Sequence, residues 1–409
     1  MTEWRVERLG RRGEGVAYDS HGQRALARLT LPDEVVTGEV EEAGRILDPK
    51  IVTPSPERVK PACPHYRACG GCSLMHASDA FVADWKAGLV ISALKAQGMD
   101  VQVSGQHVSP PGSRRRAILS GRRTKKGALV GFHARASDVI IDLNDCRVIR
   151  PAIQSALPLL REIVIAGASR QAELSLAVTE TSAGLDLAIR GGKSLEPALF
   201  AQLAALAEKG DLARIDWDGE SITRRPPNLT MGRAQVTPPP GSFLQATAEG
   251  EAALIAAVRD MVKGADRIAD LFAGCGTFTL PLSENAEVDA YEGLAAPLAA
   301  LDSGWRGATG LKRVKTHVRD LAKRPLLPDE LAAYDAIVID PPRAGAEAQA
   351  QQLAQSGLAR IAWVSCDPVT FARDARILAD GGYEMTRLFV VDQFRWTPHV
   401  ETAAEFRRR

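Results

Sequence analysis

Cys366 closes an apolar run in "IAWVSCDPVTFARD" (361–374), directly before Asp367 and Pro368, which have the composition of a helix start. Most free cysteines are small buried hydrophobes. At a strand-to-helix turn, however, the sulfur meets the positive end of a helix, which favours a thiolate and hence a nucleophile. Acids fall where further strands end: Asp270 in "DLFAGCGTF", Glu292, Asp320, and Asp340 in "IDPPRAG". Each alone could be a helix cap. As a ring they suit a cationic ligand bearing a ribose, and they repel a pyrophosphate. Gly274 and Gly276 allow a tight turn with close backbone approach, and the loop lacks the Lys-Ser/Thr pair of a phosphate loop. S-adenosylmethionine, a sulfonium with an amino-acid tail, fits such a cleft.

"QFRWTPHVE" (393–401) adds His399 and Glu401 near the C-terminus. A thiol nucleophile, a methyl-donor cleft and a nearby carboxylate describe one reaction class, methylation at C5 of a pyrimidine. That carbon is too weak a nucleophile unaided. Thiolate addition to C6 makes the ring an enolate whose C5 attacks the sulfonium methyl, and a base then removes the C5 proton so that the thiolate leaves.

A second cysteine set lies far upstream. "CPHYRACGGC" spaces Cys63, Cys69 and Cys72 as C-x5-C-x2-C, and Cys146 follows in "LNDCRVI". Three close thiols with a distant fourth make a ligand set for an iron–sulfur cluster or zinc. The paired C-x2-C knuckles of zinc ribbons are missing, and so is the C-x3-C-x2-C of radical enzymes. Charge is clustered too: "GSRRRAILSGRRTKKG" (112–127) holds five Arg and two Lys without an acid. A net charge of only +1 argues against a uniformly basic nucleic-acid binder, but a local basic face suits backbone phosphates.

The elements that must position these groups fall into three parts. At 409 residues the chain exceeds one ordinary core. Its start, "MTEWRVERLGRRGEG", has no apolar h-region and no stretch approaches a membrane span, so a cytoplasmic protein is expected. Residues 1–57 read as short strands punctuated by Gly, Asp and Pro, a small β-barrel. Residues 58–235 mix helices, such as "FVADWKAGLVISALKAQG", with the strand pair "ELSLAVTE" and "GLDLAIR". "TPPPGSF" breaks the chain near 236. From there to 409, "RIADLF", "EVDAYE", "RVKTHV", "YDAIVID" and "IAWVSC" alternate with helical stretches, which predicts an α/β fold with a parallel, doubly wound sheet.

"DLFAGCGTFTLPL", "IDPPRAG", "WVSCDPVTFARD" and "TPHVE", in that order, resemble the RNA 5-methyluridine methyltransferase family over essentially the whole chain. The resemblance implies a class I, Rossmann-like methyltransferase domain with Cys366 as nucleophile and Glu401 as base. It implies S-adenosylmethionine contacts at Gln245, Phe272, Thr277, Glu292, Asp320 and Asp340, in addition to Asp270, Gly274 and Gly276. Phe243, in "SFLQAT", matches the segment that reaches the target base. Arg114, Arg115, Arg116 and Arg343 are further expected RNA contacts. The four upstream cysteines resemble the [4Fe–4S]-bearing branch, and the opening strands resemble its TRAM domain. These favour a monomeric enzyme acting on a uridine of 23S ribosomal RNA; the same chemistry on tRNA, or RNA binding without turnover, are the rivals. Departures stand at Asp367, where the family usually has Asn, at Arg395-Trp396 in place of Pro-His, at Ala273 and Cys275 in the cofactor loop, and at Asp33, where Gly is usual. Ser113-Arg114-Arg115-Arg116 also replaces a segment with an aromatic.

Overall fold

Period-two burial along the opening strands rolls them around a small apolar core. In the computed structural model, which describes residues 2–41 and 43–409, strands Glu3–Leu9, Gly15–Tyr18, Arg24–Ala27, Val35–Thr37, Arg45–Ile46 and Lys50–Thr53 form a six-stranded half-barrel. Trp4, Val6, Ala17, Ala25 and Val36 fill it, leaving the other face wet. Glu34, fully buried, accepts the N–H groups of Leu31 (2.8 Å) and Ser55 (3.2 Å) and the Arg58 guanidinium, so one satisfied carboxylate ties the barrel to the connector after it. Asp33 has φ = 67°, the left-handed region that explains the usual glycine and that aspartate also tolerates.

The second sheet has seven strands: Ile140–Asp142, Ala128–His133, Arg116–Arg123, Glu173–Thr181, Gly184–Arg190, Arg214–Trp217 and Glu220–Thr223, in spatial order. The two strands read from "ELSLAVTE" and "GLDLAIR" pair antiparallel. Helices Leu157–Gly167 and Pro197–Lys209 cover the apolar face formed by Leu119, Leu176, Leu187 and Ile215.

The five strands expected from the strand–turn–helix rhythm, Arg267–Leu271, Glu287–Glu292, Val314–Val318, Ala336–Ile339 and Arg360–Ser365, run parallel. Their spatial order is third, second, first, fourth, fifth. The order reverses between the first and fourth, which opens a crevice at their carboxyl ends. Glu401–Arg408 then inserts antiparallel between Arg360–Ser365 and Tyr383–Asp392. Apolar cores cover both faces, giving the doubly wound, Rossmann-like architecture.

Two segments from the preceding part of the chain, 79–108 and 229–236, join this sheet or its cores. Gly105–Val108 pairs parallel with Tyr383–Asp392 as the outermost strand. The hairpin of Leu229–Met231 and Ala234–Val236 packs on Leu298 and Leu301. Helix Asp79–Ala96 sets Val90 and Leu94 into the core beside Phe371 and Leu378. Its inner stripe also contains Lys86, fully buried, 2.6 Å from Asp392 Oδ1 and donating to the Phe394 carbonyl at 3.1 Å. Among the described residues, no helix is long and apolar enough to cross a membrane.

Removing one member of a buried ion pair strands the other charge in apolar surroundings, at a cost of about 3–5 kcal/mol. Lys86→Met is therefore expected to destabilise the C-terminal core by that order in urea unfolding. Combining it with Asp392→Leu is expected to restore most of the loss. A double variant as unstable as the single one would show that the two charges are not coupled.

Candidate active site

Strand register brings the two reactive groups together. Ser365 pairs with Thr402, so Cys366 and Glu401, the next residue on each strand, meet at the carboxyl end of the sheet. Both line a cavity of about 510 Å³ with Phe243, Arg343, Phe394 and His399. Glu401 is 2% exposed. Burial and then the Asp340 charge push its carboxyl well above the ordinary range, against the Gln393 amide and Arg343. Burial, followed by Glu401 and Asp340, pushes the Cys366 thiol up to about 12. The expectation that the next helix favours a thiolate is thus corrected. Asp367 caps helix Pro368–Asp380 instead, its Oδ1 accepting the N–H groups of Val369 (2.9 Å) and Thr370 (3.2 Å). The helix's free donors are occupied, and the Asp367 charge is among those that raise the thiol.

The crevice beside this pair is acidic. Asp340 accepts from Gln245 Nε2 at 3.3 Å, and burial pushes its carboxyl up to about 7. Glu292 accepts the N–H groups of Gly274 (3.1 Å) and Leu294 (3.0 Å), which orient the carboxylate at the end of its strand. Gly276, at φ = 99°, has no room for a Cβ between Leu280 and Leu301; at Gly274 a Cβ would meet nothing within 4 Å, so bare backbone faces open space. Phe272 is also left-handed, at φ = 63°, a strain of about 1–3 kcal/mol that clusters at ligand sites. Thr277 is half-buried on the same loop, and Asp320 is half-buried beyond Val318, paired with Lys323 at 3.3 Å. Asp270 does not ring the cleft as expected. It is fully buried beneath the loop, with Oδ2 accepting from Thr279 Oγ1 at 2.5 Å and Oδ1 without a partner among the described residues. Burial pushes it up to about 7. Ala273 and Cys275 point into the apolar core with Leu280 and Leu298, so these two departures leave the cleft untouched. Uncovered backbone at Gly274 and the Glu292 and Asp340 carboxylates at the strand ends fit a cationic, ribose-bearing ligand.

Cys63, Cys69, Cys72 and Cys146 line the same cavity as Cys366 and Glu401. The loop bearing the first three docks on the strand edge through Gly70 N–H to the His133 carbonyl (2.9 Å), and Cys63 Sγ lies 3.7 Å from the carbonyl of Asp145, beside Cys146. Among the described residues, no three His, Cys, Asp or Glu are grouped so as to hold a metal ion. Trp396 explains one departure. At φ = 60° its carbonyl accepts from Ser73 N (2.8 Å) and Leu74 N (3.0 Å), and it packs with Tyr66 and Met75 beside Cys63 and Cys72. It thereby clamps the cysteine loop to the segment that leads into Glu401.

The expected RNA contacts separate. Arg343 is exposed and Phe243 is 70% exposed, both on the cavity. Arg114 and Arg116 also line it, Arg114 lying 5.8 Å from the Phe394 ring. Arg115 does not face outward as expected. It is buried, paired with Glu251, and donates Nε to the Gln245 carbonyl at 3.2 Å, because neighbours along extended chain point to opposite sides. Sequence reasoning missed the adjoining cavity of about 630 Å³, lined by Arg12, Arg28, Arg45 and Arg135 with one acid, Glu14. It shares Gly70, Gly71, Ser73 and Phe132 with the reactive cavity. Its arginines are scattered in sequence and carry no local signal. Gln393 was likewise missed.

Comparison with known proteins agrees with this geometry. A family model described as tRNA (Uracil-5-)-methyltransferase matches residues 315–409. An uncharacterized RNA methyltransferase of Brucella suis is 44% identical over 400 residues, covering 98% of this chain and 96% of that protein. A 23S rRNA (uracil(1939)-C(5))-methyltransferase of Halomonas elongata is 32% identical, covering 97% and 87%. The crystal structure of Pyrococcus abyssi tRNA (uracil-54, C5)-methyltransferase with S-adenosyl-L-homocysteine shares the fold, at a TM-score of 0.77 and 21% identity over 99% of each chain. With a sheet of this order and a cysteine and a glutamate meeting at its end, the chain belongs to the RNA (uracil-5-)-methyltransferase family of S-adenosylmethionine-dependent enzymes.

Proposed function

We propose that the chain methylates C5 of a specific uridine in 23S ribosomal RNA, with Cys366 adding to C6 and Glu401 removing the C5 proton. The observation that carries this is the placement of Cys366 and Glu401 on one cavity beneath the exposed Phe243 ring. S-adenosylmethionine, when bound, supplies an electrophilic methyl group on a cationic sulfur. Gln245, Asp340, Glu292, Phe272, Thr277 and the bare backbone at Gly274 and Gly276 would hold it, with Asp320 at the rim and Asp270 supporting the loop from below. Cys366 must ionise to add, and Arg343 is the cation placed to favour that. A carboxylate whose proton affinity is raised by burial is a stronger base once ionised, which suits Glu401 to the C5 proton.

Reaching a stacked uridine means unstacking it into the cavity, where Phe243 offers a stacking face. Arg343, Arg114 and Arg116 are read as its phosphate partners, and the groove of Arg12, Arg28, Arg45 and Arg135 as the path of the flanking strand. On this reading 1–57 grips RNA, 58–235 shapes the cavity wall, and 236–409 transfers the methyl group. The Halomonas relative and the half-barrel favour ribosomal RNA; tRNA is the second reading, favoured by the description of the matched family model.

The four upstream thiols are read as a [4Fe–4S] site. Soft thiol donors facing a common space suit a cluster, which is wider than a single ion. Four thiolate ligands would leave no open iron, so the group would supply a rigid wall for RNA and take no part in the chemistry.

Incubation with tritiated methyl donor and purified rRNA or tRNA tests the target; label in tRNA alone would overturn the ribosomal reading. Cys366→Ala is expected to abolish transfer. Glu401→Gln is expected to slow turnover by about 10²–10⁴-fold and to leave a covalent protein–RNA adduct. Asp367→Asn keeps the helix cap but removes a charge that raises the thiol, so Cys366 is expected to react severalfold faster with iodoacetamide at pH 8; an unchanged rate contradicts this account of the thiol. Anaerobically purified protein is expected to carry iron and sulfide in equal amounts with broad visible absorption, both lost in Cys69→Ser. Zinc, or no metal, would refute the cluster.

A further inference from the structure

Arg115 stands in the basic run that sequence reading directs at RNA, yet its side chain turns the other way. It is buried, and its guanidinium is paired with Glu251 in the first turn of helix Ala248–Met261. A second donor of the same group, Nε, reaches the Gln245 carbonyl at 3.2 Å. The Arg115 N–H donates to the Ala246 carbonyl at 3.0 Å, and Arg114 forms an antiparallel bridge with Thr247. Backbone and side chain thus grip residues 245–247 from one side. Gln393 grips them from the other, its Oε1 accepting the Ala246 N–H at 2.8 Å and its Nε2 donating to Gln245 Oε1 at 2.5 Å. With that oxygen taken, the Gln245 NH2 is left for Asp340, to which it donates at 3.3 Å. Gln245 is buried, whereas Phe243, two residues earlier, lies open on the reactive cavity. One short segment therefore meets both reactants.

We propose that Arg115 is a positioning residue for the methyl donor: anchored on Glu251, its guanidinium fixes the Gln245 backbone so that the Gln245 amide stays turned toward Asp340. The proposal rests on the reading of Gln245 and Asp340 as contacts of S-adenosylmethionine. Arginine suits this task because its planar fork presents donors to two acceptors at a fixed angle. Lysine offers a point charge on a flexible stem, enough to pair with Glu251 but without the second arm of the fork. The anchor is itself held in place. Thr247 caps the helix that carries Glu251, its Oγ1 accepting the Gly250 N–H at 3.0 Å. Arg115, Gln245, Thr247 and Glu251 therefore close a ring of contacts where the central sheet meets the C-terminal domain. Contacts ordered in advance spare a ligand that cost on binding. Arg114 and Arg116 line the reactive cavity and Arg115 does not, so its loss falls on the methyl donor and spares RNA.

Two variants test this. Arg115→Lys keeps a cation for Glu251 but loses the Nε bond. Arg115→Met combined with Glu251→Leu removes both charges, leaves neither stranded in apolar surroundings, and carries the test if the lysine variant does not fold. For each, the Kd of S-adenosylmethionine without RNA, the KM of each substrate, kcat and thermal unfolding are measured. The Kd and KM of S-adenosylmethionine are expected to rise about tenfold, the size of one lost hydrogen bond to a charged group, with the KM of RNA unchanged. A rise in the KM of RNA alone would make Arg115 an RNA contact and overturn the proposal. Wild-type donor affinity in a folded variant, whatever its melting temperature, would make the grip merely structural and overturn it equally. Gln245→Met, run in parallel, separates the two failures. If it binds S-adenosylmethionine as wild type does, the reading of Gln245 falls, and the proposal with it. If it weakens the donor while the Arg115 variants do not, the positioning role alone is wrong.

Discussion

The site depends on one strand register. Glu401–Arg408 is threaded antiparallel between Arg360–Ser365 and Tyr383–Asp392, and the pairing of Ser365 with Thr402 sets Glu401 beside Cys366. A slip by one residue would turn every side chain of that strand to the opposite face and leave the thiol without a carboxylate. Much of the surrounding packing reads as a defence of that register. Lys86 reaches in from helix Asp79–Ala96 to pin Asp392, Gln393 is wedged against Ala246 and Gly250, and Trp396 takes two N–H groups of the cysteine loop. Each holds the segment between the two strands from a different direction.

Electrostatically the site is poised for a cation. Asp270, Asp340 and Glu401 are held by burial above the normal carboxylate range, and Glu292 is turned toward the same loop by two backbone donors. Crowded carboxylates, an orphaned buried oxygen and a left-handed phenylalanine are each unfavourable alone. Their coincidence at a topological switch point is what a pocket for a positively charged cofactor requires. The Glu401 and Asp340 charges also oppose ionisation of Cys366. The chemistry therefore calls for a positive charge to enter the crevice before the thiol can act.

The cavity wall is built from parts of the chain far apart in sequence. The loop of Cys63, Cys69 and Cys72, the strand edge around Phe132, the arginines 114 and 116, Phe243, Arg343 and the 394–401 segment meet there. A basic groove continues from it toward the half-barrel through Gly70 and Gly71. Reactive and binding surfaces are thus contiguous, although no single segment contributes both.

Local chemistry was legible in the sequence. The five parallel strands, the strand pair in the second sheet and the approach of Cys366 to an acid followed from apolar runs, turn residues and the rule that strand ends carry the site. Short-range signals of this kind depend only on neighbours along the chain. Long-range ones do not: the docking of 79–108 and 229–236 on the C-terminal sheet, the inward turn of Arg115, the burial of Asp270 and the four-arginine groove leave no periodic trace. The amino-acid sequence by itself determined which reactive groups exist and on which turns they stand, because propensity and spacing are written residue by residue. Which of them share a cavity, which are desolvated and which are held by Gln393 or Lys86 was decided only by tertiary packing, since burial and charge proximity are properties of the assembled fold.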